Sequence, residues 1–158
     1  MTDVVVILGS KSDADIAKKA IDIFKRFDIN YSVNVASAHR TPARVLEIIN
    51  EAHESGVKVF IAIAGLAAHL PGVVAAHTIK PVIGVPVKAA LDGMDALLSI
   101  AQMPGGIPVA CVGVGRGENA ALLAAQIIAI EDKELEEKLA AHRKELAEQS
   151  LQDSQTLF

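Results

Sequence analysis

Apolar positions along the chain change their period several times, and each change marks an element. Val4-Val5-Val6-Ile7-Leu8 is a continuous apolar run that stops at Gly9, the pattern of a strand buried on both faces. Ile16, Ala20, Ile23, Phe24 and Phe27 then recur at helical spacing. Tyr31 to Val35 alternates and carries β-formers, so it reads as a second strand. Thr41 is placed to cap a helix whose first turn holds Pro42, and Val45, Ile48, Ile49 and Ala52 supply its apolar stripe. Val57 to Ala64 is a third strand ending at Gly65, followed by a short helix from Leu70 to His77. A strand over Val82 to Val87, a helix over Asp95 to Gln102, a strand over Val109 to Val114 and a helix over Asn119 to Ile130 complete the series.

Five strands separated by helices predict an α/β fold, a three-layer α/β/α sandwich around a parallel five-stranded sheet, flavodoxin-like in plan. The tail behaves differently. Glu131 to Gln149 is rich in Glu and Lys, and Leu135, Leu139, His142 and Leu146 form a narrow stripe that can pack on another subunit or fold back on its own sheet. The chain therefore reads as one domain over 1–158, with an α/β core over 1–130 and a C-terminal helical extension over 131–158.

Composition narrows the function classes. Apolar residues make up 51% of the chain and there is no Trp, which points to some apolar surface hidden between subunits. The net charge of -4, with no basic patch carrying interleaved aromatics, argues against nucleic acid as a partner. No stretch reaches the roughly 18 consecutive apolar residues of a membrane span, and Met1-Thr2-Asp3 leads into a strand without a basic segment, so a cytoplasmic protein with no membrane partner is expected. Cys111 is the single cysteine and lies in an apolar strand, where a buried, inert thiol is the expected state.

Candidate chemistry collects at the carboxyl ends of the strands, where open parallel sheets bind ligands. Ser37-Ala38-His39-Arg40-Thr41-Pro42 sets an imidazole that titrates near neutrality beside a guanidinium able to fork onto a phosphate. The plainer alternative is a His39 that bonds a loop carbonyl and an Arg40 that is a solvated charge. After the first strand, Gly9-Ser10-Lys11-Ser12-Asp13 crowds two hydroxyls and a carboxylate at a helix start, suited to a phosphate or a sugar diol. Ser12 can serve there as an N-cap, with Asp15 completing a capping box. Ala64-Gly65-Leu66-Ala67-Ala68-His69-Leu70-Pro71-Gly72 is small, apolar and nearly uncharged, a loop able to wall a ligand, with His69 its one ionisable group. His53 and His77 read as structural or surface histidines, and His142 as a solvated one in the charged tail.

Several other sites are excluded. There is no Gly-x-x-x-x-Gly-Lys-Ser/Thr, no Gly-x-Ser-x-Gly and no histidine pair at metalloprotease spacing. The third strand ends at Gly65, not at a phosphoacceptor Asp. Gly115-Arg116-Gly117-Glu118-Asn119-Ala120 matches Gly-x-Gly-x-x-Ala, but it follows the fifth strand and has no acidic strand end about twenty residues on, so it reads as a turn and helix start.

Taken together, Gly9-Ser10-Lys11-Ser12-Asp13, Ser37-Ala38-His39-Arg40-Thr41-Pro42, Ala67-Ala68-His69-Leu70-Pro71-Gly72, Pro81 to Val87, Gln102-Met103-Pro104-Gly105-Gly106-Ile107-Pro108-Val109 and Asn119 to Ala125 resemble the purine-biosynthetic N5-carboxyaminoimidazole ribonucleotide mutase family, in the right order from about Val4 to Ile130. The resemblance implies an enzyme without cofactor or metal, typically a homo-octamer, that moves a carboxylate from the exocyclic nitrogen of an aminoimidazole ribonucleotide to ring carbon C4. It implies that His39 is the catalytic acid and base. Ser10, Ser12 and Asp13 would hold the ribose and phosphate end, Arg40 would pair with the phosphate, and Ser37 and Ala38 would also bind the substrate. Ala64, Gly65, Leu66, Ala67, His69 and Leu70 would line the remainder, confining carbon dioxide, and Gln102, Met103 and Pro104 would reach a neighbouring subunit's site.

Two departures stand out: the family's usual Gly-Gly pair after the third strand is Gly65-Leu66, and Val87 to Gly93 is about one residue shorter than the family form. They leave open an aminoimidazole ribonucleotide carboxylase that captures free carbon dioxide, although His69 within Ala-Ala-His-Leu-Pro-Gly resembles the mutase branch. A reading from another class is a non-catalytic nucleotide-binding module on the same fold.

Overall fold

The computed structural model describes residues 2–156; Met1 and, at the end of the expected extension, Leu157 and Phe158 lie outside the described residues. Strands β1 (Val4–Leu8), β2 (Tyr31–Val35), β3 (Val59–Ala64), β4 (Val82–Pro86) and β5 (Ala110–Cys111) form one parallel sheet in the order β2-β1-β3-β4-β5. Val4 pairs with Tyr31 on one side and Val59 on the other, and Phe60 with Val82. β1, β3 and β4 are buried along their whole length, as continuous apolar runs require.

Successive residues of these strands feed opposite layers. Val4, Val6, Leu8, Ile61 and Ile63 pack under α1 (Ala14–Arg26), α5 (Gly117–Ala129) and the start of α6 (Lys133–Gln155). Val5, Ile7, Phe60 and Ala62 pack under α2 (Pro42–Glu54), α3 (Leu70–Ala76) and α4 (Met94–Ala101). The α2 stripe is as expected, with Val45, Ile48, Ile49 and Ala52 all buried. On α1, Ala17 joins Ala20 and Phe24 inside while Ile16 and Ile23 are only partly covered, because α5 approaches on that side with its own small residues, Ala120, Ala121, Ala124 and Ala125.

That close approach explains the Gly-x-Gly-x-x-Ala stretch. A Cβ on Gly117 would stand 2.1 Å from the Ile16 carbonyl oxygen, a backbone atom that cannot swing aside. Gly117→Ala is therefore expected to destabilise the fold by about 1–3 kcal/mol in chemical denaturation, the range for an overpacked core. Gly105, which has nothing within 4 Å of its Cβ position, serves as the control and should tolerate Ala.

Several boundaries and environments differ from expectation. β3 begins at Val59, two positions after Val57, since Lys58 and Val59 both donate to the Asp3 carbonyl at the ladder's edge. β5 is two residues rather than Val109 to Val114: as the sheet's edge it pairs only through Ala110 and Cys111, after which single bonds from Val112 to Gly84 and from Gly115 to Pro86 follow β4 without regular register. Edge placement also leaves Cys111 half-buried, not fully buried, although burial still pushes its thiol pKa up.

The tail folds back on its own α/β core. Asp132 caps α6 through Leu135 N–H at 3.0 Å, and Leu135 and Leu139 enter the core beside Phe27 and Ile128. His142 is buried, contrary to the solvated histidine expected, because its ring seats edge-on against Phe27 at 5.6 Å. Arg26 stacks over the same Phe27 ring and pairs with Glu145, pinning the helix at that turn. The stripe ends there, since Leu146 is exposed. None of the helices among the described residues is long and apolar enough to cross a membrane.

Candidate active site

A cavity of about 570 Å³ opens at the carboxyl ends of β1 to β4. It sits where the chain order reverses, with β2 on one side of β1 and β3 on the other, the crevice in which such sheets place ligands. Its size suits a mononucleotide-sized ligand. Every predicted site residue lines it: Ser10, Ser12 and Asp13 after β1; Ser37, Ala38, His39 and Arg40 after β2; Ala64, Gly65, Leu66, Ala67 and His69 at and after β3; and Leu70 at the start of α3. Gly9 and Ala68 complete the loops after β1 and β3, and Val87 and Ala89, after β4, line the cavity without having been assigned a role. The same strand-end rule applied to the fourth strand would have found them.

The turn after β1 is built differently from a capping box on Ser12. Ser10 is the cap, its Oγ accepting from Ser12 N–H at 3.3 Å, and residues Lys11–Asp13 form one 3-10 turn before α1. Ser12 Oγ lies 2.9 Å from Ser10 Oγ and 3.1 Å from Asp13 Oδ1. Its single proton goes to the carboxylate, the stronger acceptor, which leaves Ser10 to donate to Ser12. Asp13 is buried, and that burial raises its carboxyl pKa against the lowering effect of bonds to Ser12 and Ser10. The charged carboxylate thus weakens the unliganded fold above its pKa, as groups poised for a ligand commonly do.

After β2 the chain closes a turn on Ser37. Thr41 does not cap α2 with its hydroxyl: Oγ1 accepts from Ser37 N–H at 2.9 Å and reaches back to the Ser37 carbonyl at 3.3 Å. Ser37 Oγ in turn accepts from Arg40 N–H at 3.2 Å and from Arg40 Nε at 3.3 Å. A second guanidinium nitrogen donates to the Gly9 carbonyl at 3.1 Å, so Arg40 is held across two loops with its remaining N–H groups free for an anion. It is a placed cation, not a wandering surface charge.

His39 and His69 form a pair, their ring centroids 4.6 Å apart and nearly perpendicular. His69 Nδ1 lies 2.6 Å from the Ala67 carbonyl, which can only accept, so Nδ1 carries the proton and Nε2 is the open position of the neutral ring. The remaining three histidines lie elsewhere: His53 pairs with Thr78 at 2.9 Å, His77 with the Val73 carbonyl at 2.8 Å, and His142 packs on Phe27. Among the described residues, no three His, Cys, Asp or Glu side chains converge as a metal-ligating group. Met103 packs on Gly72 of its own chain, whose Cβ position is 3.3 Å from Met103 Sδ, while Gln102 and Pro104 are exposed.

The turn after β3 passes through a left-handed residue. Leu66 has φ +55°, in the left-handed region that glycine enters without cost. Gly65 before it is held against the residue that follows β4, its Cβ position 3.2 Å from Val87 Cβ.

The family model described as AIR carboxylase matches residues 3–149. The chain is 59% identical over 141 residues to the N5-carboxyaminoimidazole ribonucleotide mutase of Methanocaldococcus jannaschii, covering 89% of this chain and 88% of that one. It is 50% identical over 155 residues to the Bacillus subtilis protein of the same name, covering 96% of each. The crystal structure of Treponema denticola PurE superposes with a TM-score of 0.90 at 31% identity, over 99% of both chains.

Proposed function

The chain belongs to the AIR carboxylase family, and from that premise we infer that it is an N5-carboxyaminoimidazole ribonucleotide mutase, an isomerase of purine biosynthesis. It moves the carboxylate from the exocyclic nitrogen to ring carbon C4, giving 4-carboxy-5-aminoimidazole ribonucleotide. One observation carries the reading. A single cavity has an anion-binding half, built by Arg40 and the Ser10 turn, and an almost uncharged half from Ala64 to Ala68, with the His39 and His69 rings among the lining groups.

The division fits the reaction. Arg40 holds the phosphate and Ser10, Ser12 and Asp13 hold the ribose end, with Ser37 and Ala38 shaping the turn beneath. His39 gives a proton to the nitrogen as the carbamate C–N bond breaks and its electron pair returns to nitrogen, releasing carbon dioxide and aminoimidazole ribonucleotide. Carbon C4 then attacks the carbon dioxide, and His39 takes the C4 proton, so the imidazole ends as it began. Ala64, Gly65, Leu66, Ala67, His69 and Leu70 confine the gas, where proximity replaces a bimolecular capture. The test is incubation with the carbamate nucleotide in the absence of added bicarbonate: the C4 carboxylate should form. A requirement for aminoimidazole ribonucleotide and bicarbonate would reassign the protein as a carboxylase.

The reading includes a cytoplasmic homo-octamer in which Gln102, Met103 and Pro104 reach a neighbour's site. Ile79, fully exposed, and Met94 and Leu98, half exposed on α4, support apolar contacts between copies. Light scattering should find the octamer mass; a monomer at micromolar concentration would remove this part.

A further inference from the structure

The far half of α6 packs on nothing in its own chain. Leu135, Leu139 and His142 hold the helix to the core, and the Arg26–Glu145 pair is its last contact, while every described residue from Arg143 to Thr156 is exposed. At about 1.5 Å per residue, Glu145 to Gln155 runs roughly 15 Å past that pair. This arm keeps two exposed leucines, Leu146 and Leu151, and Phe158 follows Leu151 in sequence at helical spacing. From Leu146 onward its charges are Glu148 and Asp153, with no cation. An apolar cavity of about 510 Å³ lies elsewhere, at the amino ends of β4 and β5, the opposite end of the sheet from the active site. Ile79, Val82, Ile107 and Pro108 line it, Ile79 is fully exposed, and Lys80 is the one charged residue on its wall. The arm of the same chain is carried away from it. Arg26 ends α1, which packs beside β2 through Phe24 on Tyr31, and β2 and β5 are opposite edges of the sheet.

We propose that the α6 arm docks in this cavity on a second copy of the chain, with Leu151 and Phe158 as apolar anchors and Asp153 facing Lys80. The inference rests on the homo-oligomer reading and names both sides of one contact. The two surfaces are complementary: the arm is apolar and acidic, and the cavity is apolar with a single cation. Covering Ile79 and Ile107 removes apolar surface from water, which supplies the affinity. The exposed charge pair sets partner and register more than strength. Because arm and cavity are different patches, the contact is heterologous, and repetition about an axis closes it into a ring.

The test is cross-linking between two full-length chains of different mass, co-expressed in a Cys111→Ser background. One carries Leu157→Cys, the other Ile79→Cys and a tag, and a short bifunctional maleimide joins thiols that are held together. A hybrid band at the summed mass should exceed the band from either chain alone by roughly tenfold or more, since docking raises the effective concentration of the two thiols to the millimolar range. Leu151→Asp/Phe158→Asp should raise the concentration at which the assembly dissociates by roughly tenfold or more in light scattering on dilution, because it removes both anchors. Circular dichroism should be unchanged, as Leu151 is exposed in the single chain. Lys80→Glu should weaken the assembly, and Asp153→Lys added to it should restore the lost part. An intact oligomer that gives no hybrid band sinks the proposal alone, and so does a chain carrying both cysteines that bridges only to itself. Anchor variants that dissociate at the wild-type concentration would also overturn it. A wild-type monomer would overturn the homo-oligomer reading and this proposal with it.

Discussion

His39→Asn is expected to lower turnover by about two to four orders of magnitude, the usual worth of a positioned general acid and base. Asparagine keeps a polar group in the turn but cannot exchange a proton near neutrality. The turn itself is held by Ser37, Arg40 and Thr41, none of which bonds through the His39 ring, so the fold and the nucleotide site should survive. Steady-state turnover and a nucleotide titration on the same sample separate the outcomes, after circular dichroism has shown the fold intact. Loss of turnover with unchanged binding removes an interaction made only in the transition state. Near-normal turnover would take His39 out of the mechanism and hand the role to His69, whose open Nε2 lies in the facing ring. Loss of binding alone would favour a nucleotide-binding module without catalysis.

The pairing of these two imidazoles was not legible in the sequence, and the reason is topological. His39 follows β2 and His69 follows β3, and those strands do not touch: β1 lies between them. Only the sheet order brings their loops to one crevice. What the sequence did carry was the set of strand ends, because apolar runs and the glycines that stop them are local signals, and the carboxyl-end rule then selects the loops. That reasoning placed every residue assigned to the site around one cavity, yet passed over Val87 and Ala89, whose apolar side chains advertise no chemistry.

Local hydrogen bonds were the hardest to foresee. Ser10, Ser12 and Thr41 all look like helix caps by type and position, but Ser10 takes the cap, Ser12 turns to Asp13 and Thr41 turns back to Ser37. Hydroxyls near a helix start have several backbone and side-chain partners within reach, and tertiary demands choose among them. His142 shows the same override. Its neighbours are charged, so sequence assigns it to solvent, while its spacing from Leu135 and Leu139 puts it on the buried stripe against Phe27. At Leu66 the departure from the Gly-Gly pattern was visible, but the left-handed backbone that makes it costly was not.

Arg40→Ala is expected to weaken nucleotide binding by about 1.5–3 kcal/mol, the worth of a hydrogen bond to a charged group, which is roughly a ten- to hundred-and-fifty-fold rise in Kd. The guanidinium is already oriented by Gly9 O and Ser37 Oγ, so little rotamer freedom remains to be lost when the phosphate arrives. Arg40→Lys should recover only part of the loss, because an ammonium on a flexible stem can supply charge but cannot hold both loop contacts while forking onto a phosphate. The same bonds raise a competing explanation, that alanine merely loosens the turns after β1 and β2. Titration with the nucleoside lacking its phosphate separates the two. If Arg40 acts on the phosphate, wild type and Arg40→Ala should bind the nucleoside with similar affinity, and the difference between them for the nucleotide should shrink as salt screens the pair. A nucleoside affinity that falls as far as the nucleotide affinity would make Arg40 a loop staple and leave the phosphate to the Ser10 turn.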